Sequence, residues 1–291
     1  MRKSNDNRAF RVARGAFVVV LMVMMGFPFL MSLSVSLQTM SEIYSAQPVI
    51  LPRPPQFSNY VAAMQTGNWP RYFLNSLIVT VVTVVISLVI NSMSGFVFAR
   101  IPFKGRNLLF LLILLGMMIP AQVTLVPVFN LVRSVPLAGG NDWLGRGGKG
   151  LMNTYAGLIL PYVAGSFGVF LCRQFYVSFP AELDDAAQID GCGRLRQFVS
   201  IYLPLSGPLL ASLGMLKFTG TWNEYTWPLV MTSGDRMKTV QLALTGFRDE
   251  AQIFWNQLMA ATLISSLPIY LLFFFAQDAF VSGLLAGSVK A

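Results

Sequence analysis

Two charged side chains lie where the surrounding sequence carries none. Lys217 and Glu224 interrupt the otherwise apolar stretch 197–231. A charge in hydrocarbon is costly and normally faces a cavity or a partner, so each marks a functional candidate. Seven residues of helix advance ~10 Å and return to nearly the same face. Trp222, Asn223, Tyr225 and Trp227 surround Glu224. Aromatic faces beside amide and carboxylate groups suit a sugar, whose C–H faces are apolar and whose rim is rich in hydroxyls. A competing reading also fits: Trp and Tyr form the interfacial belt of a membrane helix, while Asn223 and Glu224 tie the helix end to a neighbour.

Other chemistries find little support. The sequence has no His, which removes the commonest general base and metal ligand together. Cys172 and Cys192 have no paired-cysteine spacing, so both read as free thiols and no metal site is expected. The glycine-rich stretch 139–150 fails as a phosphate loop. Trp143 stands where the first glycine is required, and Gly150 follows Lys149 where Ser or Thr is required. It reads as a flexible connector.

The elements that must position these residues are membrane helices. Of 291 residues, 55% are hydrophobic and only 11% charged, with mean hydropathy +0.61. These values exclude an ordinary soluble globule, a disordered chain and a collagen-like chain. The net charge of +9 flanks apolar runs instead of forming a soluble basic patch, which speaks against nucleic acid as a partner. Apolar runs over 15–41, 72–99, 107–132, 150–172, 197–231 and 251–277 can each cross ~30 Å of hydrocarbon, which needs ~20 residues of helix. Six transmembrane helices follow; β-barrel strands, at ~10 alternating residues, do not match. Arg2, Lys3, Arg8, Arg11 and Arg14 would suit a signal peptide, but the run after them is long and lacks a small-residue cleavage site, so it reads as an uncleaved helix. Placing these residues with Arg100, Lys104, Arg106, Arg173, Arg194, Arg196 and Lys290 on the cytoplasmic side satisfies the positive-inside rule and puts both termini there. Pro120, Pro127 and Pro161 should bend their helices and free carbonyls toward a cavity.

Between the fourth and fifth spans lies the segment 179–204. Pro180 can open a helix, Glu182, Asp184 and Asp185 suit the positive end of its dipole, and Gly191 can close it. A second helix then begins near Arg194. Such a helix–turn–helix on a membrane face can offer its first helix to a groove on a partner.

Here the sequence resembles a family. Asp185-Ala186-Ala187, Gly191 after three intervening residues, and Ile201-x-Leu203-Pro204 resemble the cytoplasmic signature of ABC importer membrane subunits, with Asp185 in place of the usual Glu. The stretches 153–161, 170–175, 221–229 and 282–290 are similar to the maltose-type branch of carbohydrate-uptake permeases. The resemblance implies an all-α membrane protein with the type I ABC importer permease fold. It implies that Glu182, Asp185, Ala186, Ala187, Asp190, Gly191 and Pro204 couple to a separate ATPase. It also implies a second, homologous permease subunit, an ATPase dimer that binds ATP and Mg (none in this chain), and an extracytoplasmic solute-binding protein met by Gln241, Thr245 and Gly246. Sugar-path candidates are Lys217, Trp222, Asn223, Glu224 and Tyr225.

The expected organisation is a cytoplasmic segment 1–14, a first transmembrane helix 15–37 and an extracytoplasmic loop 38–71. A five-helix core, 72–280, follows with the coupling loop 179–204, and then a cytoplasmic tail 281–291. No enzyme is expected. An ion-gradient carrier would need buried carboxylates and repeated halves, whereas Glu224 is the only acid deep in a span. A glycerol phosphate permease of the same branch remains open.

Overall fold

This computed structural model describes residues 3–47, 49–249 and 251–286, and its regular structure is helical apart from one isolated bridge between Arg248 and Ile253. In chain order the helices are α1 (Lys3–Ser36), α2 (Met40–Ile43), α3 (Ser58–Gln65), α4 (Trp69–Arg100), α5 (Arg106–Met118) and α6 (Ala121–Arg133). After them come α7 (Tyr155–Ile159), α8 (Ser166–Val177), α9 (Glu182–Ile189), α10 (Arg194–Gln197) and α11 (Leu203–Leu205). The last are α12 (Gly207–Trp222), α13 (Thr226–Met231), α14 (Val240–Ala243) and α15 (Trp255–Ala286). The expected tail 281–291 falls partly within α15; residues 287–291 lie outside the described residues.

Three segments are long and apolar enough to cross a membrane: Phe10–Ser36, Trp69–Arg100 and Trp255–Asp278. Three further spans are bent pairs, giving six in all: α5 with α6 at 107°, Tyr155–Tyr162 with α8 at 45°, and Arg194–Leu205 with α12 at 79°. Local chemistry explains the first two bends. Pro120 lacks an N–H and forces Ile119 into an extended conformation, φ −84° and ψ 118°. Pro161 lies in the 3₁₀ turn Leu160–Tyr162 that ends α7. Pro127, by contrast, sits inside α6 without breaking it. The stretch 197–231, expected as one span, is interrupted twice. It bends at Ser206, between Pro204 and Pro208, and it opens again at Asn223–Tyr225.

The chain divides into two units. In the first, residues 1–69 and 244–267, polar side chains join the end of α1 to α3 and to the start of α15. Asn59 Nδ2 donates to the carbonyls of Ser36 and Gln38, both at 2.9 Å, and Asn256 Nδ2 donates to Asn59 Oδ1 at 3.1 Å. The apolar window of α1 has none of its residues buried.

In the second unit, α4 is polar inward and apolar outward. Asn75, Ser76, Thr80, Thr83, Ser87 and Asn91 are buried, while Leu77, Val81, Val85 and Val89 are exposed. That is the reverse of a water-soluble helix and suits hydrocarbon as the surrounding solvent. Small residues let α4 and α8 meet closely. A Cβ on Gly168 would lie 2.6 Å from Asn91 Cγ, and one on Gly95 would strike Cys172. Near the Trp69 end of α4, Asn75 Nδ2 donates to the carbonyls of Arg236 and Lys238, at 3.1 and 2.8 Å, and Asn75 Oδ1 accepts from the Tyr155 hydroxyl at 2.7 Å. Near the Arg100 end, Phe96, Tyr176, Phe198 and Tyr202 form an aromatic core. The glycine-rich loop, expected as a flexible connector, folds on itself instead. Asn141 Nδ2 donates to Arg133 O and Val135 O, and its Oδ1 accepts from Gly148 N.

Candidate functional site

The helix α9 is tethered on one side and open on the other. Three acids open it, as the dipole argument anticipated, but their roles differ. Asp184 turns inward: its Oδ2 pairs with Arg100 Nη1 at 3.1 Å, and its Oδ1 accepts from the Tyr202 hydroxyl at 2.7 Å and from Gln197 Nε2. The two charged side chains are 10% and 15% exposed. Arg100 also donates to the carbonyls of Tyr176 and Phe179, which the end of α8 would otherwise leave bare, and its guanidinium lies 5.5 Å from the centre of the Tyr202 ring. One carboxylate thus joins α4, α9 and the segment after α10.

Ala187 is buried on the same side. Glu182, Asp185, Ala186 and Ile189 are exposed, Ile189 by 87%. Their spacing of three, four and seven places them in one stripe along the helix. Ile189 is thus an exposed apolar residue at the end of an acidic stripe.

The end of α9 is a Schellman turn. Cys192 N donates to Ala187 O at 2.8 Å, Gly191 N donates to Gln188 O at 3.0 Å, and Gly191 has φ +69°. Asp190 is the exposed C-cap residue. Pro204 belongs to the bend at Ser206, remote in sequence from α9 and exposed. The sequence reading missed Asp184 as an anchor, took Arg100 only as a positive-inside residue, and did not single out Gln197 or Tyr202.

A second feature is a cavity of about 280 Å³ with a mixed lining, in which Leu125, Val128 and Pro161 supply apolar surface. Gln122 and Thr124 of α6, Tyr162, and Glu224, Thr226 and Trp227 line it. The break at Asn223–Tyr225 creates this lining. Helix α12 ends at Trp222, so Glu224 leaves the helix and its Oε1 accepts from Trp227 N at 3.0 Å, capping α13. The Tyr162 hydroxyl faces the same carboxylate. Lys217 approaches the same residue, with Nζ 5.9 Å from the centre of the Tyr162 ring. Lys217 and Glu224 therefore converge on one tyrosine, which the sequence reading did not single out.

Of the five sugar-path candidates, only Glu224 lines the cavity. Trp222 is 2% exposed and stacks on Phe218 at 5.8 Å. Asn223 Oδ1 accepts from Gln241 Nε2 at 3.0 Å, because the chain turns toward α14 there. Tyr225 is exposed but lies outside the lining. Among the binding-protein candidates, Gln241 is half-buried in α14, whereas Thr245 and Gly246 are exposed in the 3₁₀ turn Leu244–Phe247. No cluster of potential metal ligands occurs among the described residues.

Comparison with known proteins places this geometry in context. The pattern described as "Binding-protein-dependent transport system inner membrane component" matches residues 91–285. The arabinooligosaccharides transport system permease protein of Bacillus subtilis is 31% identical over 293 residues, spanning 100% of this chain and 99% of that protein. The diacetylchitobiose uptake system permease protein DasC of Streptomyces coelicolor is 34% identical, over 96% of this chain and 97% of that one. A chain of a bacterial ABC transporter that imports the acidic polysaccharide alginate has the same fold, with a TM-score of 0.79 at 20% identity, covering 95% of this chain and 98% of that chain.

Proposed function

The chain belongs to the binding-protein-dependent transport system inner membrane component family, as a multi-pass permease subunit of a bacterial ABC transporter, and on that premise we propose how it works. It takes a sugar from an extracytoplasmic solute-binding protein and passes it through a path completed by a second, homologous permease subunit. Both termini and α9 face the cytoplasm. There α9 rests in a cleft of an ATPase subunit, which holds the ATP and Mg. Closure of the ATPase dimer moves α9, and the Arg100–Asp184 tether carries that motion into α4 and α8. Glu182, Asp185 and Ala186 contact the ATPase, with Asp190 and Gly191 setting the exit of the helix.

The observation that carries this reading is the exposed stripe Glu182–Asp185–Ala186–Ile189 on a helix anchored from behind by Asp184. A merely solvated loop has no need of so firm an attachment. The test is copurification. The tagged chain should retain its ATPase subunit, and Ile189→Asp should release it while leaving the chain inserted and folded. Retention of the ATPase by both Ile189→Asp and Asp185→Lys would remove α9 from the interface.

A further inference from the structure

We propose that Glu224 sets the charge of the solutes this transporter accepts: neutral or cationic sugars pass its cavity and anionic ones are disfavoured. The proposal rests on the sugar-import reading above and narrows its substrate class.

The argument starts from the lining. Gln122, Thr124, Tyr162 and Thr226 offer amide and hydroxyl groups, Trp227 offers an aromatic surface, and the only charged side chain in the lining is Glu224. Hydroxyl-rich neutral solutes find donors, acceptors and an apolar face there. A carboxylate or phosphate on the solute finds repulsion instead, because a carboxylate accepts hydrogen bonds and donates none. Lys217 does not reverse this. Its ammonium group is absent from the lining and lies 5.9 Å from the centre of the Tyr162 ring, whereas Glu224 is part of the lining itself.

Glu224 is also held in place. Its Oε1 is fixed by the Trp227 N–H at 3.0 Å, and Tyr162 stands against it. A fixed charge in a confined cavity acts on passing solutes more strongly than a mobile one on a wet surface. The alginate importer shares the fold and takes an acidic polysaccharide. The fold therefore leaves charge selectivity open, and residues such as Glu224 must set it. The glycerol phosphate alternative raised by the sequence is anionic and falls on the disfavoured side.

The test measures the cavity before any sugar is involved. In the assembled transporter with Cys192→Ser, and with Cys172 left in place because it is buried, Gln122→Cys puts a thiol in the lining. It is reacted with a cationic and an anionic methanethiosulfonate reagent at low ionic strength, each rate normalised to that of N-acetylcysteine. A unit charge should favour the cationic reagent severalfold, by roughly fivefold for an illustrative separation of about 8 Å in a water-like dielectric. The ratio should shrink toward one on adding salt and on Glu224→Gln, which keeps an oxygen for the Trp227 N–H. A ratio unchanged by Glu224→Gln, or favouring the anionic reagent, would overturn the proposal. So would uptake of an oligouronide as fast as that of a neutral oligosaccharide of equal length, an outcome that leaves sugar import intact. The expected ratio in a transporter that carries no sugar would uphold the charge of the cavity and count against the import reading alone.

Discussion

Removing the Asp184 carboxylate should cost the chain several kcal/mol and disconnect ATP hydrolysis from transport. In Asp184→Ala, Arg100 Nη1 loses its 3.1 Å partner, and the Tyr202 hydroxyl and the Gln197 amide lose their acceptor. Breaking a buried ion pair from one side costs about 3–5 kcal/mol. Arg100 keeps the carbonyls of Tyr176 and Phe179, which softens the loss toward about 3 kcal/mol. Asp184→Asn keeps an oxygen for Tyr202 but turns an amide toward the guanidinium, and should cost about 1.5–3 kcal/mol, the worth of a hydrogen bond to a charged group. A double-mutant cycle with Arg100→Ala should return a coupling energy in the upper part of the roughly 0.5–3 kcal/mol range for contacting residues. The assay is unfolding of the purified transporter in mixed micelles with increasing dodecyl sulfate, paired with sugar moved per ATP hydrolysed after reconstitution. If Asp184→Ala unfolds within about 0.5 kcal/mol of the parent, inside the spread of ordinary surface changes, and couples normally, the tether has no mechanical role.

Asp185, one residue away but exposed, should behave in the opposite way: Asp185→Lys leaves unfolding unchanged and uncouples hydrolysis from uptake, Asp185→Glu is mild, and measuring ATPase and uptake rates side by side decides the matter. Gly191→Val meets no neighbouring atom yet must hold φ +69°, so it should cost about 1–2 kcal/mol locally, loosen ATPase attachment and abolish uptake while membrane insertion persists, as fractionation and uptake assays would reveal. Gly168→Leu should force α8 away from Asn91 and lower the yield of folded protein in detergent, whereas Gly207→Ala, which meets nothing, should be silent by the same size-exclusion measure.

Much of this was legible in the sequence for a physical reason. Hydrocarbon excludes charge, so five charge-free runs and a sixth interrupted only by Lys217 and Glu224 mark the six spans, and Pro120 and Pro161 announce two of the three bends. The stop at Gly191 was legible because only a residue tolerant of positive φ ends a helix in a Schellman turn. The bend at Ser206 was not, since an apolar run reads alike whether the backbone inside it is straight or folded. Asp184 was read as a partner of the helix dipole because its true partner, Arg100, is 84 residues away, and one sequence carries no trace of that pairing. Glu224 stood out as an acid among apolar residues. Tyr162, which unites it with Lys217, did not, because a tyrosine near the end of a span is ordinary. Trp222 misled in the same way: a large aromatic residue beside polar ones suggests a sugar platform, and here it fills the core.

The unbroken helix α4 is fastened at both ends. Asn75 grips the carbonyls of Arg236 and Lys238 near one end, and Arg100 grips Asp184 at the other. Twenty-five residues of helix separate the two grips, about 38 Å at 1.5 Å per residue. Three of the other spans fold at a break, but this one does not, so it can act as a push-rod. On the proposed coupling, a displacement of α9 would reach the segment 236–238 at the other end of α4 without being absorbed on the way. The timing of solute release would then be set by the length and stiffness of one rod, and a single flexible residue spliced into its middle would desynchronise the two faces while leaving each of them intact.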